Sequence, residues 1–176
     1  MSEDARQDKP LVLVTLFGGG WHRETCLILQ HFPPDEFRFA YAYGHCRGVH
    51  GAARLPMPHP GPCYPIHYLG PTRKHALRFI PNTARLILSF FEAFRLVRRL
   101  RPDAILAVGT AAAVPLFAAG KLCGARCVFV ESLTRVEELS LTGRILHRLG
   151  LADRLYVQWP ELPARVAGAR YAGAVI

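Results

Sequence analysis

Two turns carry the residue types best suited to chemistry. One is Phe17-Gly18-Gly19-Gly20-Trp21-His22-Arg23-Glu24; the other begins at Glu131, directly after the apolar run Cys127-Val128-Phe129-Val130. Near-continuous apolar runs of this kind read as buried parallel strands, and α/β sheets hold their ligands beyond the C-terminal ends of such strands. Glycines remove the side chains that keep an anion away from backbone amides at a helix N-terminus, so Gly18, Gly19 and Gly20 suit a diphosphate, or else form a plain strand-to-helix turn. The turn is not a dinucleotide fingerprint, because Arg23 stands where a small residue is needed, and it lacks the Lys-Ser or Lys-Thr pair of a P-loop. His22 titrates near neutrality. It is a candidate base for a hydroxyl proton or a donor to a phosphate oxygen, with a structural surface histidine as the alternative. Glu131 could hydrogen-bond a ligand hydroxyl or orient a catalytic group, with Ser132, Thr134 and Arg135 supplying donors, or pair with Arg135 to shape its loop. Arg135, Ser140 and Arg144 are candidate phosphate ligands, while Gln158-Trp159-Pro160-Glu161 reads as structure or as partner interface.

The elements that must position these residues follow from patterning. Residues 11–16 form a first strand, 24–32 a helix stopped by Pro33-Pro34, and 37–43 a second strand. Residues 44–71, dense in Gly, Pro and His, form a long irregular connection with a short strand at 66–69. Asn82 or Thr83 caps a helix to about residue 100, with Leu86, Ile87, Phe90, Phe91, Phe94 and Val97 on one apolar face. A strand at 104–108, a small-residue helix at 111–122 closed near Gly124, a strand at 126–130, a helix from Ser140 or Thr142 to about 149 and a strand at 155–157 complete the pattern. Alternating strands and helices predict an α/β fold with a Rossmann-like parallel sheet. The 176 residues suit one domain, 1–176, with 1–10 expected to be disordered.

Charge narrows the partners. The formal net charge is +9, and from Arg73 to Arg101 eight Lys or Arg face one acid, Glu92. That imbalance points to an anionic partner. Phe90, Phe91 and Phe94 beside Arg95, Arg98 and Arg99 suit an anionic membrane surface, the alternative being an ordinary core face with a solvated back. Nucleic acid is not expected, because no RNP-like or helix-turn-helix signature accompanies the stripe. Five unevenly spaced cysteines predict reduced thiols and no disulfide. His45, Cys46, His50, His59, Cys63 and His67 lack close ligand spacing, so no metal is expected. No early apolar run is long enough to cross a bilayer.

Three ordered blocks carry a resemblance: Glu131-Ser132-Leu133-Thr134-Arg135, Ser140-Leu141-Thr142-Gly143 and Gln158-Trp159-Pro160-Glu161-Leu162. Together they resemble the asparagine-linked glycosylation protein fourteen family and its bacterial capsule and exopolysaccharide relatives, loosely over nearly the whole chain. The resemblance implies half of a GT-B glycosyltransferase: an acceptor-side subunit, inactive alone, working with a small nucleotide-sugar-binding subunit and without a cofactor. Its reaction would move a sugar from a UDP-sugar to a polyprenyl-diphosphate-linked saccharide, peripherally on the cytoplasmic face of a membrane. The Arg- and Ala-rich composition and the absence of an N-terminal anchor favour the bacterial branch. Relatives show Gly-Gly-His at the glycine turn, as do the lipid-linked N-acetylglucosaminyltransferases of peptidoglycan synthesis, where the loop faces the acceptor diphosphate. Here Trp21 stands between the glycines and His22, so either His22 or the loop backbone takes that place. The catalytic candidates are His22 and Glu131. A non-catalytic membrane recruiter of a partner glycosyltransferase is one rival reading, and a nucleic-acid-binding domain using the basic stripe is the other.

Overall fold

The computed structural model describes residues 9–17, 20–44, 57–66 and 79–175, with side chains from residue 87 onward in the last stretch. The expected tail at 1–10 lies largely outside them, as do Gly18, Gly19, His45, Cys46, His50 and His67. Seven parallel strands form one sheet in the order β3-β2-β1-β4-β5-β6-β7. They are β1 (Leu11–Leu16), β2 (Arg38–Gly44), β3 (Cys63–Ile66), β4 (Ala104–Val108), β5 (Arg126–Val130), β6 (Arg154–Val157) and β7 (Ala169–Tyr171). The helices are α1 (Gly20–Leu29), α2 (Phe79–Leu100), α3 (Ala113–Cys123), α4 (Leu141–Arg148) and α5 (Leu162–Arg165). The Rossmann-like parallel sheet is therefore present, and the strand order reverses between β1 and β4, the place where such folds open a crevice.

Alternation along the strands divides the core. Leu13, Ile105, Ala107, Cys127 and Phe129 point to the face that packs with residues of α2, α3, α4 and α5. Val12, Val14, Leu16, Leu106, Val108 and Val130 point to the other, with Leu29 of α1. Gly124, at φ +83, closes α3, and the short edge strand β3 tolerates Pro65.

The differences from the sequence reading have local causes. α2 begins at Phe79, before the expected caps, because Pro81 sits in the first turn, where its missing N–H is no loss. β3 lies at Cys63–Ile66, ahead of the expected 66–69. The face of α2 is also rotated: Ser89, Ala93 and Val97 are buried, Phe90 and Phe94 half-buried, and Ile87, Leu88 and Phe91 exposed. Small residues at 89 and 93 give α2 a close seat, and it packs chiefly on α3, which is rich in alanine. α5 and β7, of four and three residues, were too short for any periodic signal.

Candidate functional site

The ends of β1, β4, β5 and β6 meet at one edge of the sheet, and a buried carboxylate absent from the expected set joins α1 to two of them. Glu24, on the first turns of α1, is 8% exposed. Its Oε1 accepts from Ser132 Oγ (3.0 Å), and its Oε2 accepts from Leu133 N (3.1 Å) and Gln158 Nε2 (2.8 Å). Gln158 Nε2 also donates to the Glu131 carbonyl (2.9 Å), and Gln158 Oε1 accepts from Val175 N (2.9 Å). α1 is thus tied to the loops after β5 and β6. Buried carboxylates persist only when donors satisfy them, and these contacts supply that condition.

Glu131 forms a second knot. It is 0% exposed. Oε1 accepts from Ser132 N (3.0 Å), and Oε2 accepts from Ser140 N and Ser140 Oγ (both 2.9 Å). Ser140 Oγ in turn accepts from Gly143 N (3.0 Å) as the N-cap of α4. Gly143 is needed here, because a Cβ would lie 2.4 Å from Glu131 Oε2. Burial pushes the Glu131 carboxyl above its ordinary range, against the opposing pull of hydrogen bonds from Ser140 and Ser132 and the charge of Arg135. Through these bonds the carboxylate seats the loop at 132–140. Ser140, whose hydroxyl bonds Glu131 and Gly143, is the N-cap of α4, as the sequence offered.

His22 is also inward. It is 8% exposed, with Nε2 3.3 Å from Cys26 Sγ and Nδ1 buried without a hydrogen-bond partner. Burial lowers its pKa, so the imidazole stays neutral at neutral pH. It is a buried histidine and not a surface one. Trp21, beside it on α1, is 40% exposed, and its indole lies against Gly109 after β4. Gly20 opens α1 and a methyl group there meets nothing, while Gly18 and Gly19 fall outside the described residues. Arg135 and Arg144 are exposed, Arg144 lying 3.7 Å from Glu138. Trp159 Nε1 donates to the Leu133 carbonyl (2.7 Å), so the Gln158-Trp159 turn builds structure. His59 contacts the Leu29 carbonyl (2.8 Å); among the described residues no three His, Cys, Asp or Glu gather as a metal site.

The membrane candidates divide. Arg95, Arg98 and Arg99 are exposed; Phe91, at 57%, faces outward, whereas Phe90 and Phe94 are half-buried and stacked on each other (6.2 Å between centroids). Among the described residues no helix is long and apolar enough to cross a membrane.

Comparison with known proteins matches residues 12–175 to the family described as oligosaccharide biosynthesis protein Alg14 like. The chain is 32% identical over 121 residues to the UDP-N-acetylglucosamine transferase subunit ALG14 of Mus musculus, covering 65% of this chain and 55% of that protein. It thus spans about half the length of the curated relative it matches. MurG of Acinetobacter baumannii superposes with a TM-score of 0.64 at 16% identity, over 96% of this chain and 44% of MurG. A UDP-N-acetylglucosamine 2-epimerase from Listeria monocytogenes superposes with a TM-score of 0.59 at 13% identity, over 85% of this chain and 39% of that one. MurG and the epimerase share the half-fold, so the likeness of shape identifies architecture, here a GT-B half, and leaves activity to the site.

Proposed function

Because this chain belongs to the Alg14-like oligosaccharide biosynthesis family, we propose that it is the acceptor-binding, membrane-associated subunit of a two-subunit glycosyltransferase. The sugar passes from a UDP-sugar, UDP-N-acetylglucosamine or a similar donor, to a polyprenyl-diphosphate-linked saccharide on the cytoplasmic face of a membrane. The observation that carries this reading is the reversal of strand order between β1 and β4 on a chain that superposes on 44% of MurG. A GT-B site lies between two domains, and the second wall comes from a small nucleotide-sugar-binding partner.

The chain's contribution is placement. Glu24 and Glu131 hold α1 and the loops after β5 and β6 in register, the backbone of the glycine turn approaches the acceptor diphosphate, and exposed Arg135 and Arg144 supply charge at the rim. Fixing reactants in this way removes a large part of a bimolecular barrier. Buried His22 and Glu131 also support the rival reading of a recruiter that only localises its partner. A recruiter would leave the partner fully active on a water-soluble acceptor.

The test is transfer from UDP-N-acetylglucosamine to a short-chain isoprenoid diphosphate-linked N-acetylglucosamine. The expected result is no turnover by this chain or by the partner alone, and turnover by the pair. Turnover by this chain alone overturns the two-subunit reading; turnover by the partner alone on the soluble acceptor makes this chain a recruiter.

Membrane association is carried by the outer face of α2, where Ile87, Leu88 and Phe91 precede Arg95, Arg98 and Arg99. Each arginine near an anionic surface contributes about 1 kcal/mol. Changing all three to Glu should weaken binding to phosphatidylglycerol vesicles at least ~100-fold, and Phe91→Asp should weaken binding further. Phe90→Leu should change it little. Cosedimentation unaffected by the triple change would assign this face to the partner instead.

A further inference from the structure

Trp21 is the large aromatic ring displayed beside the β1/β4 switch point. It is 40% exposed, although its neighbours His22, Glu24 and Thr25 on α1 are buried. The ring is held in place. Thr25 Oγ1 donates to the Trp21 carbonyl (2.7 Å), anchoring the turn, and the indole rests on Gly109 at the end of β4. A Cβ at position 109 would lie 2.7 Å from both Cδ1 and Nε1 of Trp21 and 3.0 Å from Ser132 Cβ. Gly109 also has φ +57, a conformation that side chains resist. Two separate constraints, space and backbone angle, therefore require glycine under this ring.

The surroundings select among ligands. Ser132, 4% exposed and with its Oγ donating to Glu24, lies against Gly109 and holds the hydroxyl of exposed Thr134 at 3.2 Å. Trp21 Nε1 makes no hydrogen bond among the described residues. An apolar ring face with a spare N–H donor, set among hydroxyls, fits a ligand that is apolar on its faces and polar at its rim. A pyranose ring has that character: C–H groups on its faces and hydroxyls around its edge. A diphosphate gains nothing from an indole face, and an isoprenoid chain offers no acceptor to the indole N–H.

We infer that Trp21 is a stacking platform for the sugar ring of the acceptor, with the indole N–H and exposed Thr134 bonding its rim. This deepens the acceptor reading above and rests on it. The platform confers selectivity for a sugar-bearing acceptor over the bare lipid diphosphate.

The experiment is titration of the assembled two-subunit protein with farnesyl diphosphate and with farnesyl diphosphate-linked N-acetylglucosamine, followed by steady-state kinetics with the latter. Trp21→Ala should raise Kd for the sugar-bearing probe about tenfold and leave that for farnesyl diphosphate unchanged, the kinetic loss appearing in KM more than in kcat. Trp21→Phe should retain most of the affinity. Gly109→Ala, which displaces the ring without removing it, should reproduce the selective loss while the melting temperature confirms a folded protein. Equal weakening of both probes, or none, overturns the platform while the acceptor reading stands. A change confined to UDP affinity reassigns the ring to the donor base and overturns it too. If the wild-type pair binds neither probe, the acceptor reading fails and the platform with it.

Discussion

Glu24→Ala should lower the melting temperature by about 6–12 °C and transfer by the reconstituted pair by about 100-fold. The substitution strands three donors, Ser132 Oγ, Leu133 N and Gln158 Nε2, in a site where Glu24 is 8% exposed. One unsatisfied buried donor costs about 1–3 kcal/mol. Donors of one network relax together and their costs do not add, so a total of about 3 kcal/mol is expected. For a chain of this size that corresponds to about 2–4 °C per kcal/mol. The catalytic loss has a separate origin: α1 and the loop after β5 no longer share an anchor, and a shift of about 1 Å in such a frame costs roughly 100-fold. Glu24→Gln should rescue little, since its amide would present N–H to a position that already holds donors. Glu36→Ala, on an exposed residue, should stay within about 0.5 kcal/mol. Scanning calorimetry with the transfer assay measures both; a near-normal melt and rate for Glu24→Ala would show that this network does not hold the site.

Why Glu24 escaped a reading of the sequence is instructive. A carboxylate in the opening turns of a helix ordinarily reads as a favourable charge near the positive end of the macrodipole. Its actual partners are 108, 109 and 134 residues away, and nothing local announces them. Trp21 is a similar case, because its meaning depends on the missing Cβ of Gly109. By contrast, strands at 104–108 and 126–130 were legible to the residue, being apolar runs bounded by Pro and Gly. Ser140 was legible as a cap because that interaction is local. Glu131 was legible as a strand-end acid, but not as a buried one. Loop closure decides burial at such a position, and the loop at 132–140 has no periodic signal. The helix α2 shows the same limit, since apolar residues on both sides of a long helix do not reveal which side a neighbour covers.

Glu131 yields the sharper test of positioning against direct chemistry. Glu131→Ala removes the acceptor for Ser132 N, Ser140 N and Ser140 Oγ and should cost about 3 kcal/mol, with loss of order at the loop and at the start of α4. Gly143→Ala leaves the carboxylate intact but drives a methyl group against Oε2, and should cost about 1–3 kcal/mol. If Glu131 acts by seating the loop, both variants should depress transfer in parallel with loss of stability. If it acts on the substrate, Glu131→Ala alone should collapse kcat. The pH dependence supplies an independent check. Burial raises the folded-state pKa of Glu131 above its unfolded value of about 4.3. The folded protein therefore binds the proton more tightly, and its contribution is fully present below about pH 4.3 and lost as pH rises through the folded pKa. Glu131→Gln does not titrate. The melting temperature of the wild type relative to Glu131→Gln should accordingly fall as pH rises from about 4 to 7, and a difference that grows over that range would show the carboxylate to be better solvated, and so closer to the crevice, than its burial implies.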